Sequence, residues 1–469
     1  MKLRNFLLIF LIGFSGRLHA QDSLISLNAE QVLSIVKAYH PVVKQTDISI
    51  AKSKAEITQA RAAFDPIISN YTARKTFNGL NYYDYNSPQV SIPTWYGIEI
   101  YSGVENLSGN RLDPTETVGQ SSYLGINIPL AKNLLIDKRR AALRQSKIMN
   151  TLAKVEQQSI VNNLLMEAME AYWHWVKAHQ TLTVLENVVQ VNEKRFNLVK
   201  QAYFLGERPG IDTVEALAQL NSFKFERNQR LLNFQNAGLE LSAYLWKANG
   251  EAYVLPEQVV PQSGWESELN IQNFSLVLND LMDAAEKNHP DLRQYDYKIE
   301  SLIIDKRLKF QDLLPKVDLS YNHLAKGSEW FPNNGINNLF ENNFQYGLKI
   351  AIPLRFSEGR GAYKVANLKL QETRLDLNQS RLKVQLKVQS YYNEFLNLKN
   401  QTSLQSLNFA NYQQLVQAEE TRFFNGESSM FLINARETKA LEAQEKLIEL
   451  KAKYFKTIYA LQWSAGLLN

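Results

Sequence analysis

The chain has 469 residues, no cysteine and a formal net charge of +5, with 22 Tyr, 22 Phe and 7 Trp against 20 Gly and 13 Pro. Rich aromatic content with sparse Gly and Pro excludes a disordered or low-complexity chain. The missing cysteine excludes a disulfide scaffold, thiolate zinc, iron–sulfur ligation, a cysteine nucleophile and a lipidated N-terminal cysteine.

Lys2 and Arg4, an apolar run from Phe6 to Phe14 and the step Leu18-His19-Ala20 predict a secretory signal peptide over 1–20. That run is too short to cross about 30 Å of hydrocarbon. Without Lys2, Arg4 and Arg17 the charge falls to about +2, too weak to indicate a nucleic-acid partner. No later segment is apolar for eighteen residues, so a membrane protein of this sequence would have to be a β-barrel.

The mature sequence reads as one unit written twice. His40-Pro41 recurs 249 residues later as His289-Pro290, and Pro66 as Pro315 at the same spacing. Ile-Pro-Leu at 128–130 recurs at 352–354, and Gly206-Glu207 as Gly426-Glu427, so the spacing drops to 224 and then 220. A constant spacing that drops marks a duplication with about 25 extra residues in copy one, between Pro66 and Ile128. The insertion is expected to enlarge an outward-facing loop.

Copy one spans 21–248. It opens with two helices ending near Ala63, then strands over about 67–76 and 121–129. A helix without Gly or Pro follows over about 136–204, some 100 Å at 1.5 Å per residue, and a return helix covers about 212–247. A connector over 249–273, with Gly250, Pro256, Pro261 and Gly264, reads as non-helical. Copy two, 274–469, repeats the order with strands at about 316–325 and 343–353, a long helix over about 359–424 and a return helix over about 430–463. Gly206 and Gly426 suit helix C-caps, and Asp212 and Ser428 or Ser429 suit N-caps.

The strands alternate apolar and polar residues, as in Phe344, Tyr346, Leu348 and Ile350 against Gln345, Gly347 and Lys349. This pattern fits a transmembrane barrel or an ordinary half-buried sheet. Four strands cannot close a barrel, whereas three chains would bring twelve strands and twelve helical rods together. Tyr82, Tyr83, Tyr85, Trp95, Tyr96, Trp330 and Phe331 suit an aromatic girdle or loops beyond it.

In this order the sequence resembles the TolC family of outer-membrane efflux proteins. The marks are Phe64-Asp65-Pro66 and Leu313-Leu314-Pro315 entering the first strands, and Ile128-Pro129-Leu130 and Ile352-Pro353-Leu354 leaving the second. Asp137 to Leu143 opens the long helix, and Phe204-Leu205-Gly206-Glu207 and Phe424-Asn425-Gly426-Glu427 form the tips. The resemblance implies a mainly α fold with membrane β: a homotrimer whose 12-stranded β-barrel in the outer membrane of a Gram-negative bacterium continues as a 12-helix α-barrel across the periplasm. It implies a passive exit duct, not an enzyme and without cofactor. A periplasmic adaptor coupled to an inner-membrane pump would dock at Leu205, Gly206, Glu207, Arg208, Asn425, Gly426, Glu427 and Ser428.

The family carries acidic residues beyond the second tip glycine; this chain has Leu432 and Ala435 there. The matching positions of copy one hold Asp212 and Glu215, three apart on one helical face. A periplasmic gate is therefore expected from Asp212 and Glu215, with apolar packing by Phe431 and Leu432. Asp212 as an ordinary N-cap, with Glu215 a solvated first-turn carboxylate, is the plainer reading. Two other functions stay open: a duct for type I protein secretion with the same fold, and a secreted structural coiled-coil or adhesin protein. The adhesin would share the long helices but would not need matched strand pairs.

Overall fold

The computed structural model describes residues 25–110, 117–265, 276–327 and 343–468. The leader at 1–20 and Trp330 and Phe331 lie outside them. The first repeat runs β1 (Ile25–Leu27), α1 (Ala29–Tyr39), α2 (Pro41–Arg61), β2 (Ile67–Phe77), β3 (Leu80–Pro93), β4 (Glu99–Ser108), β5 (Gly119–Pro129), α3 (Lys138–Phe204) and α4 (Gly210–Ser242). After β6 (Val259–Pro261), the second runs α5 (Leu278–Asn288), α6 (Pro290–Phe310), β7 (Lys316–Lys326), β8 (Phe344–Ala351), α7 (Ser357–Phe424) and α8 (Met430–Ser464).

The duplication is visible in element lengths. α1 and α5 each have 11 residues, α2 and α6 each 21, and α3 and α7 have 67 and 68. The repeated His-Pro step has one physical job. Pro41 and Pro290 start α2 and α6 with φ already helical. The preceding His Nδ1 accepts the N–H of Val42 or Asp291, at 3.2 Å in both copies. Burial lowers the pKa of His40 and of His289, which keeps the accepting nitrogen unprotonated.

α3 packs along its length against α2, α4, α6 and α8, and α7 against α6 and α8. This explains why the apolar positions of α3 wrap around the helix instead of forming one stripe. The largest core lies at mid-height. There Leu165, Met169 and Trp175 of α3 are buried with Val32 and Val36 of α1 and Leu241 of α4. Trp173 stacks on Phe455 of α8 at 5.1 Å. The connector returns to this level, where β6 pairs in parallel with β1.

At one end of the helices lies a single antiparallel sheet of order β2-β3-β4-β5-β7-β8. The sequence reading expects four such strands; the described residues form six. The copy-one insertion is not merely a longer loop but a β-hairpin placed between β2 and β5. Asn78 and Gly79, with φ of 51° and 76°, form the tight turn from β2 into β3, and the Asn-Gly pair suits a twist-matched hairpin. The β3–β4 turn comes back to the helix-proximal end, where Trp95 stacks on Phe64 at 4.3 Å.

Arg140, buried in the first turn of α3, holds this corner together. It pairs with Asp137 at 3.1 Å and donates to the carbonyls of Tyr96 (3.2 Å), Leu134 (3.1 Å) and Asn133. Asn133 and Leu134 lie just past Leu130, the last residue at the 224 spacing, so one guanidinium ties the turn of the inserted hairpin to the connection into α3. Its counterpart at the spacing of 220, Arg360, is exposed.

Candidate functional site

The end of the molecule opposite the sheet is formed by two helical hairpins, α3–α4 and α7–α8, which turn by the same backbone device. Gly206 and Gly426 have φ of 78° and 81°, a left-handed conformation that strains any side chain with a Cβ. Gly206 N–H donates to Tyr203 and Glu207 N–H to Ala202, at 3.0 and 2.9 Å. Gly426 N–H donates to Phe423 and Glu427 N–H to Arg422, at 3.0 and 2.8 Å. These bonds satisfy the last helical carbonyls. Leu205-Gly206-Glu207-Arg208 and Asn425-Gly426-Glu427-Ser428 thus occupy matching positions. Leu205 and Phe424 are 74 % and 71 % exposed.

Side chains make the tips unequal. Arg208 crosses from the first tip to the second: its guanidinium lies 3.9 Å from the centre of the Phe423 ring and donates to the Phe423 carbonyl. It also approaches the Asp212 carboxylate at 3.9 Å. Asp212 does not cap its helix, because α4 begins at Gly210 with Pro209 at the cap position. It sits in the first turn, 7 % exposed, where the helix dipole favours a carboxylate. Glu215 follows on the same face, half-buried. In the second hairpin Ser429 is the cap residue without a side-chain bond, and Ser428 Oγ instead donates to Glu419 at 2.5 Å.

Phe431 and Leu432 are 66 % and 39 % exposed. The apolar packing inside the chain is made by their neighbours Met430 and Ile433, with Val199, Ala216 and Phe423. A polar layer lies behind it. Arg195 of α3 donates to Glu437 of α8 at 2.7 Å, to Glu420 of α7 at 2.6 Å and to Asn192 at 3.1 Å. Asn192 in turn donates to Glu437 at 2.9 Å. Burial alone would lower the Arg195 pKa, but the two carboxylates outweigh it and push it up.

Sequence reasoning did not find this layer. Its one local signal is Asn192, a polar residue in the stripe Leu185, Val189, Phe196, Val199 at helical spacing. Between Arg195, Arg208, Phe423 and Phe424 lies a cavity of about 310 Å³. Arg195 and Arg208 are already paired here, so the arrangement can lock helices together and present two tip surfaces. His174 and His179 do not converge: His174 meets Glu240 at 2.9 Å, while His179 packs on Phe234.

Residues 281–467 match the family model described as outer membrane efflux protein. Comparison with curated proteins finds no match. Among solved structures the chain is similar to CusC, at 12 % identity and TM-score 0.66, covering 93 % of this chain and 91 % of that one. It is similar to VceC of Vibrio cholerae, at 15 % identity and TM-score 0.64 over 93 % and 96 % of the two chains. It is similar also to the CmeC channel of Campylobacter jejuni, at 13 % identity and TM-score 0.62 over 93 % and 85 %. Residues 281–467 therefore belong to the outer membrane efflux protein family, and the described chain as a whole carries the fold of the TolC-like outer-membrane channels.

Proposed function

We propose that this protein is the exit duct of a tripartite efflux system. It is a homotrimer in the outer membrane whose helical part reaches through the periplasm, and it conducts passively through a water-filled lumen without a chemical step. The observation that carries the reading is the union, in one chain, of a sheet with an apolar face and helices of 67 and 68 residues, about 100 Å long, that end in twin tips. No helix among the described residues is long and apolar enough to cross a membrane, so lipid contact falls to the sheet. A secreted coiled-coil protein would have no use for that sheet. A duct for protein secretion would share every feature, and the neighbouring adaptor and pump genes discriminate it.

The tips serve docking and closure. Leu205 to Arg208 and Asn425 to Ser428 form the grooves an adaptor would grip, and the unequal side chains give it two kinds of groove. Asp212 and Glu215 with Phe431 and Leu432 form the gate. The exposure of Phe431 and Leu432 supports this role, because these side chains are free to meet the tips of neighbouring copies. Outer-membrane fractionation followed by an unboiled gel tests the reading: a heat-modifiable trimer is expected, and a soluble monomer or dimer overturns it.

A further inference from the structure

The copy-one hairpin changes the size of the duct. We propose that β3 and β4 cross the membrane alongside the other four strands. Three copies then close a barrel of eighteen strands, six from each, with the β8 edge of one copy on the β2 edge of the next. This rests on the channel reading above.

Three observations place the hairpin inside the wall and not above it. The β3–β4 turn lies at the helix-proximal end of the sheet. Ser91 pairs there with Ile67 and Glu99 with Asn127, and Arg140 holds the turn through the Tyr96 carbonyl. A hairpin rising as an external loop would carry its connections at the other end. Second, the hairpin keeps the face alternation of its neighbours. The register sets Val90, Ile92 and Ile100 on the same face as Leu124, Leu348 and Ile350, all more than a third exposed. An outward apolar band of this kind is what lipid selects.

Third, the opposite face is woven together by tyrosines. Tyr101 of β4 pairs with Gly125 of β5, and Tyr123 of β5 with Gly103 of β4. Each ring covers the glycine opposite: a Cβ on Gly103 would sit 2.6 Å from the Tyr123 hydroxyl, and one on Gly125 would overlap Tyr101 and Asn322. The Tyr101 hydroxyl passes over β5 to donate to Asn322 of β7 at 2.6 Å. Tyr85 of β3 likewise donates to Glu105 at 3.0 Å. The hairpin is therefore built into the strands common to both repeats, and its polar face lines the lumen.

The edges then require further copies of the chain. β8 is exposed at seven of its eight residues and β2 at ten of eleven. Six strands are fewer than the smallest membrane barrel, and an open edge cannot stand in hydrocarbon. The free edges lie at opposite ends of one sheet and run in opposite directions, since β2 sits five antiparallel steps from β8. Head-to-tail repetition thus continues the same antiparallel ladder. Barrel diameter grows roughly linearly with strand number, so the wall is about half again as wide as one of twelve strands, and the exit admits bulkier cargo.

The chain has no cysteine, so introduced thiols report cleanly. Intact cells are treated with a maleimide coupled to a folded protein, which cannot cross the outer membrane. Val118→Cys, at the outer end of the sheet, marks the exterior and Leu135→Cys, beside α3, the periplasm. Tyr96→Cys, in the β3–β4 turn, is expected to follow Leu135→Cys, unlabelled until the membrane is permeabilised. Labelling on intact cells overturns the proposal while leaving the channel reading standing; absence of the protein from the outer membrane overturns both. For the edges, Leu348→Cys is combined in turn with Ile68→Cys, Asn70→Cys and Thr72→Cys. Oxidation should yield covalent trimers at one of these registers. No multimer at any of them, or adducts with another protein only, overturns the pairing of copies.

Discussion

Replacing Arg195 with leucine removes the cation that ties α3 to both helices of the second hairpin. Its partner Glu437 is 10 % exposed at the side chain and would be left beside Asn192 with no counterion. Breaking a buried pair from one side costs about 3–5 kcal/mol. Glu420, 34 % exposed, is better solvated and adds little, so the lower end, about 3 kcal/mol, is expected. That corresponds to roughly a hundredfold in the local opening equilibrium. Amide hydrogen exchange of the trimer should therefore quicken by about that factor at the tips, 199–216 and 419–433, and not in the sheet. Adding Glu437→Gln removes the stranded charge while keeping an acceptor for Asn192, and should restore about 1–2 kcal/mol. If Arg195→Leu changes tip exchange by less than about threefold, the polar layer does not hold the hairpins together and the reasoning fails.

Three further outcomes are expected. Gly125→Ala forces a Cβ into the Tyr101 ring and should destabilise the trimer by about 1–3 kcal/mol, read as a lower dissociation temperature on an unboiled gel; an unchanged temperature removes the tyrosine weave. Burial lowers the pKa of both cap histidines, so below the ordinary value of 6.5 the unfolded chain takes up protons more readily than the folded one. Their contribution is present in full above that pH and lost as pH falls, so thermal stability should drop between pH 8 and pH 5, less steeply in His40→Asn with His289→Asn; an equal drop in that variant refutes the assignment. Asp212→Asn with Glu215→Gln should alter single-channel conductance and cation block, and unchanged values remove these carboxylates from the gate.

Much of the fold was legible because a duplication repeats its own signals. The paired His-Pro steps, Ile-Pro-Leu runs and tip glycines fall at spacings that only a repeated unit produces. The inserted hairpin was not legible. Leu80 to Pro93 contains Pro88 and Pro93 and the polar-aromatic run Asn81-Tyr82-Tyr83-Asp84-Tyr85, so apolar–polar alternation is blurred and the stretch reads as a loop. Its strand identity comes from neighbours: glycines 103 and 125 matter only once their facing tyrosines are known. The tip layer was hidden for a related reason, since Arg195 and Glu437 stand 242 residues apart. The expectation that Asp212 caps α4 failed because the glycine–proline turn starts that helix two residues earlier.

An electron cryomicroscopy map of the protein extracted from outer membranes with mild detergent tests the hollow conduit most directly. Three copies around one closed barrel, continued by a helical tube with an unbroken lumen down to the tips, is the expected result. A solid helical bundle without a lumen, or copies whose sheets stay open and apart, would contradict it.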